Sequence, residues 1–163
     1  MNDQERILSL ESAAAWHEQL RREGKRLAVT NGCFDLLHRG HAEYLRIARD
    51  QADALLVLIN SDASVRALKG PTRPIVGEAD RAALLASLRA VDRVVIFPGT
   101  RCAEELAVLR PEIYVKAGDY TLDTLDPSER DALLAAGSEI IFVPFVSGFS
   151  TSGIVAEIRD RKG

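Results

Sequence analysis

One segment limits the fold more than any other. From Ala54 to Asn60 the chain reads Ala-Leu-Leu-Val-Leu-Ile-Asn, almost wholly apolar and without the alternation that would leave one face to water. A run of that length suits a strand buried on both faces, and such strands belong to parallel sheets covered by helices on either side. The flanking sequence predicts what a parallel sheet needs, a helix between each strand and the next. An amphipathic helix spans 10–23, with Ala14, Trp16 and Leu20 facing inward and Gly24 as its stop. A strand follows over 25–30, then a helix over 40–51 with Tyr44, Leu45 and Ala48 at helical spacing. After 54–60, Ser61-Asp62 opens a short helix reaching Leu68, and Lys69-Gly70-Pro71-Thr72-Arg73-Pro74 is a loop by its Gly and Pro content. A helix over 78–88 turns Leu84, Leu85 and Leu88 inward. Then come a strand at 93–97, a helix at 101–109 ended by Arg110-Pro111, and a strand at 112–116. A loop covers 117–126, a helix with Pro127 in its first turn runs to 136, and a last strand occupies 140–143. A turn at 147–152 enters a final helix, 151–160. The expectation is an α/β chain forming one domain over 1–163, a doubly wound sheet of about five parallel strands with right-handed crossovers. An N-terminal helix (1–24) precedes a core of 25–160.

In such sheets ligands bind beyond the carboxyl ends of the strands, where the strand order reverses. The suggestive segments 30–41, 60–62, 116–120 and 144–151 each follow a strand. The first is the richest: Val29-Thr30-Asn31-Gly32-Cys33-Phe34-Asp35-Leu36-Leu37-His38-Arg39-Gly40-His41 leads through a small-residue turn into a helix. A helix N-terminus offers free N–H groups and the positive end of the dipole, and His38 and His41 add donors there. Gly32 and Gly40 let a ligand approach the backbone. Together these favour phosphate. The two imidazoles could instead be ordinary satisfied side chains. A zinc pair is disfavoured, because the helical zinc motif spaces its histidines at i and i+4 around a glutamate. Here the spacing is i and i+3 around Arg39 and Gly40, with no third ligand in view, so no protein-held metal is expected. Neither the dinucleotide GxGxxG pattern nor the P-loop is present.

Composition narrows the class further. The 163 residues suffice for a substantial core, and a formal net charge of -3 lacks the basic excess of a nucleic-acid-binding protein. No apolar run approaches the ~18 residues of a membrane span. The polar N-terminus does not read as a signal peptide. Cys33 and Cys102 are far apart and form no CxxC, so a reduced, cytoplasmic protein is expected.

The run from Asn31 to His41 resembles the HxGH signature of the cytidylyltransferase-like nucleotidyltransferases, which have a Rossmann-like fold. The likeness extends over about 25–160. It includes Asn60-Ser61-Asp62-Ala63-Ser64-Val65, Leu68-Lys69-Gly70-Pro71 with Arg73-Pro74, Val91-Asp92, Val115-Lys116-Ala117-Gly118-Asp119-Tyr120 and Gly148-Phe149-Ser150-Thr151. The branch most similar is the adenylyltransferase of ADP-heptose synthesis. That likeness implies ATP as donor, D-glycero-β-D-manno-heptose 1-phosphate as acceptor, Mg²⁺ accompanying the triphosphate, and a homodimer. The implied reaction is attack by the sugar-phosphate oxygen on the α-phosphorus, with pyrophosphate leaving. The attacking oxygen is already ionised, so the protein must align two polyanions and neutralise developing charge.

On this reading His38, His41 and Lys69 carry the chemistry, the histidines as donors to triphosphate oxygens and Lys69 as a mobile point charge. The resemblance implies nucleotide contacts from Thr30, Asn31, Gly32, Cys33, Phe34, Lys116, Gly118, Asp119, Gly148, Ser150 and Thr151. Asp119 would hold ribose hydroxyls or a magnesium ion, and Ser150 and Thr151 are also plain helix caps. Acceptor contacts are implied for Asp35, Asn60, Arg73 and Arg81. The two arginines would clamp a phosphate bidentately; Asp35 would touch the acceptor or orient the turn.

Three positions depart from the pattern. Ala117 replaces the first glycine of the usual Lys-Gly-Gly-Asp-Tyr. The stretch Phe145 to Thr151 lacks the arginine of the glycerol-phosphate and choline-phosphate enzymes. Val146 and Ser147 are neutral where the heptose branch often has acidic residues. A cytidylyltransferase acting on a polyol or another sugar phosphate is therefore the alternative. A non-catalytic nucleotide-binding protein is a second, against which the intact His38, His41, Lys69 and Ser150-Thr151 weigh.

Overall fold

The computed structural model describes residues 3–144, 148 and 150–161, leaving aside the side chains of 3 and 4. A short 3-10 helix, Asp3–Arg6, leads into β1 (Ile7–Leu8) and α1 (Leu10–Arg22). Then come β2 (Leu27–Gly32), α2 (Arg39–Arg49), β3 (Ala54–Asn60), α3 (Asp62–Lys69), α4 (Glu78–Ala86) and β4 (Arg93–Phe97). α5 (Ala103–Leu109), β5 (Ile113–Ala117), α6 (Pro127–Ala136), β6 (Glu139–Val143) and α7 (Thr151–Asp160) complete the order. The described strands form one parallel sheet ordered β1-β4-β3-β2-β5-β6. The chain winds outward from β2 through β3 to β4, then returns to pair β5 on the other side of β2. The order therefore reverses between β2 and β5, and in sheets of this kind ligands bind at the carboxyl ends of the strands there.

All seven residues of β3 are buried, as the apolar run requires, and side-chain alternation splits the core into two layers. Ala28, Leu55, Val57 and Val115 face Tyr44, Leu45 and Ala48 of α2 and Ala82, Leu85 and Ala86 of α4. Leu27, Val29, Leu56, Leu58 and Tyr114 face α1, α5 and α6 through Ala13, Leu20, Leu106, Leu109 and Leu133.

Three expectations change. The sheet has a sixth strand: Ile7 and Leu8 pair with Val94 and Val95 at its edge. Two residues are too few to show a period. On α1 the buried face is Ala13, His17 and Leu20, while Ala14 and Trp16 pack only at its margin. On α4 Leu84 points outward, 47% exposed, and the inward position belongs to Arg81. Among the described residues no helix is long and apolar enough to cross a membrane.

Candidate active site

The turn after β2 is shaped by one close approach. Phe34 has a left-handed backbone (φ 47°), and its ring folds back over Gly32, where a Cβ would come within 2.9 Å of the ring. A larger residue at 32 would displace that ring. Phe34 in turn packs against His41, ring centroids 5.2 Å apart and tilted by 55°. His38 is the N-cap of α2, and its carbonyl accepts the His41 and Ala42 N–H groups. The two imidazoles stack at 3.8 Å with planes 20° apart.

Two imidazoles in face contact cannot both be charged cheaply. Burial lowers His38, and burial together with the neighbouring His38 brings His41 down to about 4. Both are therefore neutral near pH 7. The Nδ1 of His41 is buried and has no hydrogen-bond partner among the described residues. Such an atom is uncommon in a folded protein and marks the turn as a candidate functional site.

Beneath the pair, α2 is pinned to the sheet. Tyr44, one turn after His41, donates from its hydroxyl to the Val115 carbonyl at 2.8 Å and takes the Thr30 hydroxyl proton at 2.6 Å. Thr30 is fully buried, so its side chain serves this anchor and it offers no surface for the expected nucleotide contact. Ala117, which stands in place of the usual glycine, packs against the apolar layer on the α2 side.

On the β3 side, the residues expected to hold an acceptor turn out to hold a loop. Asp35 is 2% exposed. Its carboxylate pairs with Arg73 and accepts the Ile75 and Val76 N–H groups at 2.8 and 2.9 Å. Burial would raise Asp35, but Val76, Arg73 and Ile75 outweigh it and lower the carboxyl below its ordinary range. Of the two roles read for Asp35, these partners fit that of orienting the turn. Arg81 is fully buried. It donates to the carbonyls of Val76, Cys33 and Asn60 and to the Asp62 carboxylate. Four of its five N–H donors are thus engaged, so it is a strut between the β2 turn, β3 and α4, and the expected bidentate clamp does not fit this geometry. Asn60, 3% exposed, bonds Ser64 and Gly99 and accepts from Cys33 Sγ at 3.7 Å; it too is a brace. Lys69 is the last residue of α3, exposed, and not part of the loop. Burial pushes the Cys33 thiol up, while the charges of Lys69, Arg81 and Arg73 pull against it, so three cations converge on this turn.

On the β5 side, Asn31 accepts from the Tyr114 hydroxyl at 2.6 Å and from Lys116 Nζ at 3.0 Å. Gly118 adopts φ 119° and donates to the Val143 carbonyl, closing the end of β5 on β6. Asp119 is exposed. Ser150 caps α7, accepting the Gly153 N–H at 2.9 Å. Thr151 donates to the Leu36 carbonyl at 3.3 Å, which brings the N-terminus of α7 to the histidine turn. Gly148 has φ 84°, a conformation suited to glycine. Residues 145–147 and 149, which carry two of the three departures, lie outside the described residues.

Lys69, Asn31, Lys116 and Thr151 thus reach the histidine turn through elements on either side of the switch point. Sequence reasoning missed Tyr44 and Tyr114 as parts of the site's support. Tyr114 was within reach, since positions two apart on a strand share a face and Lys116 had been singled out. Among the described residues no group of three or more His, Cys, Asp or Glu could hold a metal ion by itself. A divalent ion would arrive on triphosphate oxygens and water, which is how Mg²⁺ commonly binds.

The chain is similar to several known proteins. The chain is 46% identical over 154 residues to the bifunctional protein HldE of Geotalea uraniireducens, an alignment covering 94% of this chain and 31% of that protein. It is 48% identical over 141 residues to the HldE of Methylococcus capsulatus, covering 86% of this chain and 30% of that one. The chain therefore spans about a third of the length of these relatives. Among solved structures, the lipopolysaccharide core biosynthesis protein of Thermoplasma volcanium superposes with a TM-score of 0.61 at 27% identity, covering 76% of this chain and 98% of that one. Pantothenate synthetase from Thermus thermophilus shares the fold, with a TM-score of 0.63 at 18% identity over 96% of this chain and 70% of that one. The cytidylyltransferase-like family model matches residues 29–155, the segment that holds the stacked histidines and the strands on either side of the switch point, and the chain belongs to that family.

Proposed function

We propose that the chain is a nucleotidyltransferase that joins ATP to D-glycero-β-D-manno-heptose 1-phosphate, giving ADP-heptose and pyrophosphate. The observation that carries this reading is the stacked, neutral His38–His41 pair at the N-terminus of α2, with His41 Nδ1 buried and without a partner among the described residues. The similarity to the HldE proteins supports the choice of nucleotide and sugar. Residues 25–160 would form one catalytic unit, with α1 packed on its outer face.

His38 and His41 donate to triphosphate oxygens. A polyanion beside His41 favours the imidazolium, so the pair gains charge as the ligand binds. Lys69, exposed at the C-terminal end of α3, neutralises charge on the α-phosphate or the leaving group. Arg73, held by Asp35, keeps its guanidinium on the acceptor side, where N–H groups not used by Asp35 can meet a phosphate. No residue is needed as nucleophile or general base, because the sugar phosphate supplies an ionised oxygen. The protein contributes alignment and charge compensation. Mg²⁺, when bound with the nucleotide, would neutralise the departing pyrophosphate.

The test is pyrophosphate release from ATP and from CTP, each with heptose 1-phosphate and with glycerol 3-phosphate, in Mg²⁺. Turnover with ATP and the heptose is the expected result. Turnover with CTP alone would move the chain to a cytidylyltransferase. Silence in all four, with ATP still bound, would reduce it to a nucleotide-binding protein. We also propose a homodimer, by likeness to the family. A single sedimenting species near the 17.8 kDa of one chain would refute it.

A further inference from the structure

We propose that Glu129 is a positioning residue for the nucleotide: its buried carboxylate holds the Lys116 ammonium, which with Tyr114 fixes the Asn31 carboxamide so that its NH₂ faces the ligand. The inference rests on the nucleotidyltransferase reading above and adds a residue that neither the sequence pattern nor the histidine turn singles out.

Glu129 is the third residue of α6, whose N-cap is Asp126. A glutamate there ordinarily reaches back to the N-cap backbone. This one turns into the protein instead, 2% exposed. Its Oε1 accepts the Cys102 N–H at 3.1 Å and the Cys102 thiol at 3.3 Å. Its Oε2 lies 3.9 Å from Lys116 Nζ. Among the described residues no other carboxylate stands within 4 Å of that ammonium. Lys116 is itself largely buried, with a side-chain exposure of 16%. A buried ammonium needs an anion near it, and a buried carboxylate needs a cation.

The ammonium passes this constraint on. It donates to Asn31 Oδ1 at 3.0 Å and lies 3.4 Å from the Tyr114 hydroxyl oxygen. Burial raises Tyr114 well above its ordinary value, so the phenol keeps its proton and donates it to the same Asn31 oxygen at 2.6 Å. Lysine can only donate, so the atom it meets must be the carbonyl oxygen of Asn31, not its nitrogen. Both lone pairs of that oxygen are then taken. The NH₂ group is left pointing the other way, with no partner among the described residues. Asn31 stands near the end of β2, beside the switch point. Lys69 and Arg73 occupy the β3 side of the histidines, which leaves the β5 side, where Asn31 and Lys116 lie, to the nucleoside end of the donor.

The experiment is ATP binding by calorimetry and steady-state pyrophosphate release for Glu129→Gln, Lys116→Met, the double variant and Asn31→Asp, each with its thermal midpoint. Glu129→Gln keeps an oxygen for the Cys102 N–H and removes only the charge, so a purely structural role predicts unchanged ATP affinity. The positioning role predicts that ATP binds about tenfold more weakly, with KM for ATP rising alike and kcat preserved. The double variant should be no weaker than Lys116→Met alone, because the carboxylate acts through the lysine. Asn31→Asp keeps the acceptor oxygen and replaces the outward donor by an anion; it should lose at least about tenfold in ATP affinity whatever becomes of the Glu129 variants. Wild-type affinity in Glu129→Gln, additive losses in the double variant, or wild-type affinity in Asn31→Asp overturns the proposal. Failure of the unsubstituted chain to bind ATP would overturn the functional reading and this one with it.

Discussion

At His41 two requirements meet that pull in opposite directions. Packing against Phe34 and His38 keeps the ring neutral, whereas a triphosphate prefers it charged. The free protein holds His41 at about 4, so at pH 6 it is almost wholly unprotonated. A bound polyanion raises it, and the complex must then take up a proton. Calorimetry of ATP binding at pH 6 in buffers of different ionisation enthalpy should show that uptake, and His41→Ala should abolish it. The same variant should lower kcat/KM by a hundredfold or more, about what the loss of one charge-stabilising donor costs, with the thermal midpoint nearly unchanged. Near-normal turnover would remove His41 from the mechanism. The His-x-x-His spacing was legible in the sequence because each residue type carries its chemistry with it. The stacking and the depressed ionisation were not, because they depend on Phe34 entering a left-handed conformation over Gly32. Arg81 shows the opposite failure. Beside Arg73 and next to a Gly/Pro loop it read as a phosphate clamp, since nothing local distinguishes an arginine that faces solvent from one buried among carbonyls.

Two elements are held by carboxylates that sequence reasoning either assigned to another task or passed over. The segment 73–76 is fixed to the β2 turn by Asp35 through Arg73 and two backbone N–H groups. Asp35→Ala leaves those donors and a part-buried guanidinium unpaired. It should destabilise the protein by about 3–5 kcal/mol, the usual cost of breaking a buried pair, read by denaturant unfolding at pH 7. A loss below about 1 kcal/mol would mean that the loop is held elsewhere. The helix α1 is joined to β2 and β5 by Glu112, which takes the Leu27 N–H, Arg21 and His17 together. Burial alone would raise Glu112; the Leu27 N–H, Arg21 and His17 overcome it and bring it to about 2. The folded chain therefore binds fewer protons than the unfolded chain between the ordinary glutamate value, near 4.5, and 2. Stability from this group is complete above about pH 4.5 and is lost as pH falls through that window. Glu112→Gln should lower stability at pH 7 by about 2 kcal/mol, since a charged acceptor is replaced by a neutral one. Its unfolding free energy should also fall less steeply between pH 4.5 and 2 than that of the parent. An unchanged slope would mean that the carboxylate is not the anchor. The helix itself was legible from its spacing, but Glu112 lies some 90 positions away from it and carried no sequence signal of the contact.

Across the whole molecule, the strands with a clear pattern were found because a buried parallel strand cannot help being apolar. Residues 54–60 and 93–97 were placed to the residue. β1 escaped because it covers two residues at the sheet edge and is defined by its partner, β4, more than by its own composition. The location proposed for the site follows from topology: the strand order reverses between β2 and β5, and sheets of this kind bind ligands at the carboxyl ends of their strands there. That topology has a thermodynamic consequence. The residues proposed to touch the nucleotide come from β2, α2, β5 and the N-terminus of α7, which lie far apart in the chain and meet only in the folded state. A nucleotide bound there can have no comparable site on the unfolded chain, so its whole binding energy adds to stability. At a hundred times its dissociation constant, ATP should contribute about 2.7 kcal/mol, which for a chain of this length corresponds to a rise in thermal midpoint of roughly 5–10 °C. Thr151→Val removes the hydroxyl that ties α7 to the histidine turn; its shift with ATP should be smaller than that of the parent at the same ATP concentration. An equal shift in both would place the N-terminus of α7 outside the nucleotide site and leave β2, α2 and β5 to hold it.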